Sequence, residues 1–273
     1  MKTEVKIRPF WYSDAWVFPK LVTIITTLDK QGRINAAPYS FVMQWDVMHF
    51  KPQMMLGFRQ DTHTFQNICE TKEFVINCPR WDHLEDMMTT ARFWPAGINE
   101  LEHTSFTTIP SRKVRPPSIE ECPQIMECTA DQIIRLERSN AIVIANIEAI
   151  VMDEGLEQMS RAERIKAMNL PIGLGDERRL DYFYCDTSNV VMHRLKDEHD
   201  AYQGVNAKTN MPWDDAAEAA LMNVPPAFRT LVIDNTERAA REKGLDAVSF
   251  TFFGDLAREY GMDKEFIGRF SKS

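Results

Sequence analysis

Asn35-Ala36-Ala37-Pro38-Tyr39-Ser40, then Gly57-Phe58-Arg59-Gln60-Asp61-Thr62-His63-Thr64, then Asn67 and Glu73-Phe74-Val75-Ile76-Asn77, form the stretch that decides how this chain folds. The first piece is built of small residues closed by a proline, a tyrosine and a serine, so a flat ring can come close to its backbone. The second puts an arginine and two threonine hydroxyls where a helix opens, with Asp61 or Thr62 as the N-cap. A helix start offers unpaired N–H groups and the positive end of the peptide dipole, which suits a phosphate. Together the pieces point to a site for a planar, phosphorylated cofactor.

Working outward, the β-branched run over residues 19–28 predicts a strand. Asp29-Lys30-Gln31-Gly32-Arg33 predicts a hairpin turn with Gly32 at its corner, and residues 34–37 the returning strand. Residues 52–58 read as a strand, 62–71 as a helix and 74–77 as a short strand. Residues 81–93 carry the helical stripe Leu84, Met87, Met88 and Ala91. Residues 124–136 and 141–152 read as long strands joined through Glu137-Arg138-Ser139-Asn140. In the second, Val143, Ala145, Ile147, Ala149 and Val151 share a face, the pattern of a barrel wall with one dry side. Residues 182–184 and 190–192 are candidates for terminal strands. Many strands without strand–helix alternation argue against a doubly wound sheet. The nearest approach to a dinucleotide fingerprint, Ile172-Gly173-Leu174-Gly175-Asp176, has no predicted strand before it and reads as a surface turn.

The order and residue types of these pieces resemble the flavin reductase-like family, the FMN-binding split barrels that include flavoredoxins and the reductase components of two-component monooxygenases. The resemblance continues through Ala96-Gly97-Ile98-Asn99-Glu100-Leu101-Glu102, Thr107-Thr108-Ile109-Pro110-Ser111 and Val114-Arg115-Pro116-Pro117, and spans residues 10–190 in outline. It implies a mainly β (α+β) fold: a Greek-key antiparallel split β-barrel with peripheral helices. It implies that Ala36, Ala37, Pro38, Tyr39 and Ser40 run beside the isoalloxazine, their backbone N–H and C=O groups reading its polar edge. Ser40 alternatively reaches the ribityl chain or phosphate. Arg59 would pair with the phosphate, where its fork suits two oxygens. Thr62 and Thr64 would donate to the same group, and Asn67 and Asn77 lie in matching segments. Asn99-Glu100 resembles the family's lid; for Glu100, capping or solvent exposure are the plain alternatives. Trp81, Phe93 and Trp94 either cover the flavin or fill the core, with two of the three expected in the core. A homodimer is implied too, with Trp11-Tyr12 as a candidate for its surface.

The 273 residues carry a formal net charge of −8 and no block of Lys or Arg, so nucleic acid and anionic membrane are poor partners. No run approaches the roughly 20 apolar residues of a membrane span, and Lys2-Thr3-Glu4-Val5-Lys6 lacks a signal pattern. A soluble cytoplasmic protein is expected. Cys69, Cys78, Cys122, Cys128 and Cys185 are odd in number and contain no C-x-x-C, which favours buried reduced thiols over disulfides or zinc. The six histidines are dispersed without an H-x-x-x-H pair, so no metal is expected; only His63 falls in the phosphate segment.

The domain assignment is a barrel over 1–195, a linker over 196–211 and a small helical domain over 212–273. In the last, residues 213–221 read as a helix, and Pro226 opens a second with the stripe Phe228, Leu231, Val232, Asn235, Thr236, Ala239 and Ala240. Glu237 and Arg241 form an i,i+4 pair and Gly244 stops it. Ser249 or Thr251 caps a third helix ending near Gly261. This segment resembles the helical domain at the C-terminus of a light-independent protochlorophyllide reductase subunit, on Trp213, Glu218, Ala219, Leu221, Val224-Pro225, Phe228-Arg229, Glu237, Ala240-Arg241, Gly244 and Ala257-Arg258. It brings no iron–sulfur ligand pattern with it. Nine Lys/Arg against eleven Asp/Glu over residues 207–273 leave a net of −2, so the segment reads as a packing or docking element.

The resemblance implies an NAD(P)H:flavin oxidoreductase using FMN, with FAD also possible, acting alone or feeding a monooxygenase. The alternatives are a flavoredoxin-type electron carrier or a non-redox flavin or tetrapyrrole binder. Flavin chemistry asks little acid–base work of the protein, so no catalytic side chain is expected.

Overall fold

The β-branched run forms two strands, β1 (Lys20–Leu21) and β2 (Thr23–Leu28). The computed structural model describes residues 2–9, 16–47, 51–138, 140–178, 181–193, 208–224, 226–260 and 262. Trp11, Tyr12, His49, His199 and most of the 196–211 linker lie outside the described residues. Contacts divide the chain into two units, residues 1–192 and 193–273.

In the first unit the Asp29 turn returns the chain as predicted. The Asp29 carboxylate accepts the N–H groups of Gln31 and Arg33, and Gly32 sits at φ 81°, where glycine carries no steric cost. The strands that follow are β3 (Ile34–Tyr39), β4 (Val42–Gln44), β5 (Gln53–Arg59), β6 (Glu73–Cys78), β7 (Thr108–Ile109), β8 (Ser118–Ile119), β9 (Gln124–Arg135) and β10 (Asn140–Met152). Seven of them form one antiparallel sheet in the order β3-β2-β6-β9-β10-β5-β4. The neighbours are not sequential, as a Greek-key path requires, and the sheet curls into a half-barrel.

Adjacent residues on these strands serve opposite faces. Ile25 and Ile76 join Leu56, Phe58, Phe74 and Val143 in one core; Ile24 and Val75 join Met87, Leu101, Phe106 and Ile125 in another. The long strand β10 holds Val143 and Ala145 buried as expected, but pairing shifts at Ile144/Ala145 and Ile147/Ala149 leave Ala149 and Val151 only half-buried. At the far end of the sheet β4 pairs only with β5 among the described residues, and Phe41, Met43, Trp45 and Val47 are exposed along it at alternate positions.

Helix α1 (His63–Thr71) starts where predicted: Thr62 is the N-cap and its hydroxyl accepts the Phe65 N–H. Its inner face buries Phe65 and Ile68 in the first core. The helix predicted over 81–93 is shorter. A 3-10 turn (Trp81–His83) leads into α2 (Leu84–Thr90). Beyond it Trp94 folds back, donates its indole N–H to the Thr89 carbonyl and stacks on His103 at 4.2 Å. That carbonyl, in the last turn of the helix, also accepts the Arg92 N–H at 3.3 Å.

After α3 (Arg161–Met168), closed by a Ser160/Glu163 capping box, the sequence reading needs correction. Ile172-Gly173-Leu174-Gly175-Asp176 is not a surface turn. It lies in strand β11 (Ile172–Arg178), between β1 and β12 (Asp181–Cys185). A side chain at Gly173 would meet Val22 at 3.1 Å, and Gly175 at φ 126° falls at a register shift, so both glycines serve the pairing. Residues 190–192 form no strand.

The second unit has its own core of Trp213, Ala217, Leu221, Val232, Ile233, Ala240, Val248 and Phe253. Its helices are α4 (Asp215–Met222), α5 (Pro226–Glu242) and α6 (Phe250–Glu259). Gly244 follows α5 at φ 69°, and Ser249 caps α6. Of the predicted α5 stripe, Val232, Thr236, Ala239 and Ala240 are buried; Phe228 at its start is exposed, and Ile233 and Glu237 join the buried face. Glu237 is more than an i,i+4 partner. Besides Arg241 it accepts the Asn210 and Met211 N–H groups and the Trp213 indole N–H.

Candidate functional site

A cavity of about 650 Å³ opens in the first unit between the β3 edge, the start of α1, the end of α2 and strands β11 and β12. β3 is the last strand of its sheet, so among the described residues one side of its backbone meets no other strand. Ala36 points its N–H to that side, where Glu100 Oε2 accepts it at 2.7 Å. Pro38, two residues on, shares that direction and has no N–H to offer. An edge strand tolerates proline for this reason. The edge is therefore poorer in donors than the expected backbone readout required.

At the phosphate-like end, the Thr62 hydroxyl donates to the Arg59 carbonyl at 2.9 Å and accepts from the Tyr39 hydroxyl at 3.3 Å. Tyr39 packs edge-on to Phe58 at 4.8 Å, and burial raises its phenol pKa. Asn35 donates to the Thr64 hydroxyl at 2.9 Å. Arg59 forks onto Asp61 at 3.1 and 2.7 Å and holds that carboxyl below the usual carboxylate range. A phosphate arriving here shares Arg59 with Asp61.

Of the ten residues picked from sequence, Ala37, Pro38, Tyr39, Ser40, Arg59, Thr62 and Thr64 line the cavity together. The other three stand elsewhere. Ala36 is fully buried behind the edge. Asn67 lines a neighbouring cavity of about 170 Å³ and donates to the Thr27 hydroxyl at 3.0 Å. Asn77 is fully buried, donating to the Ile24 carbonyl and Thr26 hydroxyl and accepting the Ile119 N–H. It pins strands together.

Several cavity residues escaped sequence reasoning. Lys20, Arg92 and Asp176 bring charge, and Tyr182, Phe183 and Tyr184 bring an aromatic wall. The aromatic run Tyr182-Phe183-Tyr184 was read as a candidate terminal strand, but nothing local tied it to a cavity. Glu100, at 4% exposure, neither caps a helix nor meets open solvent; it belongs to the wall. Phe93 and Trp94 also line the cavity, Phe93 exposed and Trp94 half-buried, and Trp81 is half-buried. The expectation of two core residues among these three fails, because the chain leaves the helix before reaching Phe93.

His63 lines both cavities, and no cluster of three metal-binding side chains occurs among the described residues. All five thiols are unpaired. Burial pushes the Cys78 thiol up to about 11 and raises those of Cys122 and Cys128; Cys185 departs from the expectation in being exposed. No described helix is long and apolar enough to cross a membrane.

Comparison with known proteins agrees with this architecture. An uncharacterized protein of Methanothermobacter thermautotrophicus is 37% identical over 117 residues, 43% of this chain and 54% of that protein. One from Aquifex aeolicus is 28% identical over 150 residues, 51% of this chain and 75% of that protein. Among solved structures, a 2-nitrobenzoate 2-nitroreductase of Pseudomonas fluorescens superposes with a TM-score of 0.62 at 24% identity, covering 72% of this chain and 98% of that one. A flavoredoxin of Desulfovibrio vulgaris gives 0.57 at 18%, covering 74% and 99%. At these identities the structures speak for the fold alone. Residues 15–167, more than half of the sequence, match the model of the Flavin reductase like domain, and the chain belongs to that family.

Proposed function

We propose that this protein is a flavin-dependent oxidoreductase that binds FMN in the 650 Å³ cavity and takes reducing equivalents from NAD(P)H. One observation carries the reading: a single cavity joins the Ala37–Ser40 edge to Arg59 and the threonines at the start of α1. The residues suit the group. Thr62, Thr64 and the first N–H groups of α1 would hold the phosphate, with Arg59 beside them. The backbone from Ala37 to Ser40 would lie along the ring, with Ala36, Asn67 and Asn77 supporting it from behind. A bound flavin supplies the electron-transfer chemistry, taking hydride from a nicotinamide and passing electrons to an acceptor. The protein's part is to bind, orient and leave one face of the ring open. The cavity's open aromatic side, with Phe93, Tyr182 and Phe183, suits a second planar ligand.

The domain division into 1–195, 196–211 and 212–273, a homodimer and a protochlorophyllide-reductase-like helical segment belong to the same proposal. So do a monooxygenase or other protein acceptor and FAD as a substitute for FMN. Five unpaired thiols support a reducing, cytoplasmic setting.

The test is the visible spectrum of the purified protein before and after anaerobic NADH or NADPH. A flavin spectrum that bleaches is expected. One that stays oxidised with both donors moves the assignment to a protein-fed carrier of flavoredoxin type. Failure to bind added FMN removes the cofactor and its site.

A further inference from the structure

Three acidic side chains line the cavity, and of these only Glu100 is buried. It opens the 3-10 turn Glu100–His103, fixed from behind by Leu101 in the core and by Asn99, whose side chain accepts the Leu101 N–H. One carboxyl oxygen, Oε2, is engaged by the Ala36 N–H at 2.7 Å. Among the described residues Glu100 makes no ion pair.

An isolated carboxylate at such a place is costly, and protonation is the ordinary escape. Burial raises the pKa of Glu100, while hydrogen bonds from Ala36 and from its own N–H pull the other way. The neighbours do little to oppose neutrality. Tyr39 on β3, Glu85 and Asp86 on α2 and Glu102 on its own turn are neutral or acidic, Arg33 just before β3 is paired with Asp29 at 2.6 Å, and His103 is stacked on Trp94. Across the cavity stand Lys20, Arg59, Arg92 and His63 with Asp61 and Asp176. The β3 edge beside Glu100 also lacks donors, since the Ala36 N–H is taken and Pro38 has none. The polar edge of an isoalloxazine carries carbonyl and ring-nitrogen acceptors that need donors.

We propose that Glu100 acts as a neutral acid: the carboxyl oxygen not held by Ala36 carries a proton and donates it in a hydrogen bond to the bound ring, so that flavin binding draws a proton from solution onto Glu100. This rests on the flavin reading above. The proton comes from buffer and no bond other than O–H is made. Because the complex holds the proton more tightly than the empty protein, affinity is full at low pH and falls as pH rises. The fall is about tenfold per unit between the carboxyl's pKa in the empty protein and its higher value in the complex.

Calorimetric titration of the full chain with FMN, in buffers of different ionisation enthalpy, measures the proton directly. The pH series runs above the phosphate's second pKa of about 6, and riboflavin, which has no phosphate, is titrated alongside. Wild-type protein is expected to take up a proton, approaching one per flavin within that window. Glu100→Gln keeps an acceptor for Ala36 and an N–H donor for the ring. It should bind FMN within about twofold of the low-pH wild type, without proton uptake or pH dependence, while Glu100→Ala binds about tenfold more weakly. Wild-type binding without proton uptake overturns the proposal whatever the variants do, as does equal uptake by Glu100→Gln. Absence of FMN binding at every pH overturns the flavin reading itself, and this inference with it.

Discussion

Arg59 and Asp61 hold each other in a fork, and a phosphate must compete with Asp61 for the guanidinium. Hydrogen bonds to charged groups contribute about 1.5–3 kcal/mol, which corresponds to roughly tenfold or more in affinity. Arg59→Ala is therefore expected to weaken FMN by that factor and to leave riboflavin unchanged, as flavin fluorescence titration would show. Asp61→Asn should tighten FMN; an unchanged value would mean that Arg59 does not meet the phosphate. A thiol reagent is expected to modify exposed Cys185 first and to reach Cys78, Cys122 and Cys128 only on unfolding, since their burial suppresses the thiolate. Thr62 and Arg59 were legible in sequence because a helix start is written in neighbouring residues. Glu100 was not, because its role depends on Ala36, 64 positions away. Asn77 was misplaced for the same reason: its hydrogen-bonding partners reach from Ile24 to Ile119.

Helix α1 joins site to core, since its first turn faces the cavity while Phe65 is fully buried. Phe65→Ala is expected to cost about 3–5 kcal/mol of stability by denaturant titration, and to weaken flavin by loosening the Thr62 cap. In the second unit the Asp214 carboxylate caps α4 through the Ala217 N–H and also takes the Phe250 N–H at the start of α6. These bonds, Phe250 first, hold its pKa low. A lowered carboxyl pKa gives stability that is present above the unfolded-state value and lost as pH falls through the folded one. Asp214→Ala should lower the melting temperature of this unit at neutral pH and flatten its acid dependence. Strands and helices with strong local patterns, such as β5, β10 and α1, were readable to within a residue or two. β11 was not, because its pattern is masked by glycines whose purpose is set by Val22, between β1 and β2, and Tyr184 on β12.

Each unit carries its own hydrophobic core, so two cooperative transitions are expected on heating. Flavin at a hundredfold excess over its Kd should add about 2.7 kcal/mol to the unit that binds it. A calorimetric scan with FMN is thus expected to move the barrel transition upward and leave the helical one in place; a shift of both would show that the second unit senses the ligand. The half-barrel was legible as a fold class, yet which of its margins would be the site was not, because sequence shows alternation but not which strand ends the sheet. The opposite margin has a different consequence. Along β4 the alternate residues Phe41, Met43, Trp45 and Val47 project a greasy comb beside backbone groups that no further described strand pairs. Such a margin recruits strands from other molecules during refolding and concentration. Storage life and refolding yield should therefore be governed there: lysine at Met43 or Trp45 is expected to suppress precipitation without touching the flavin spectrum.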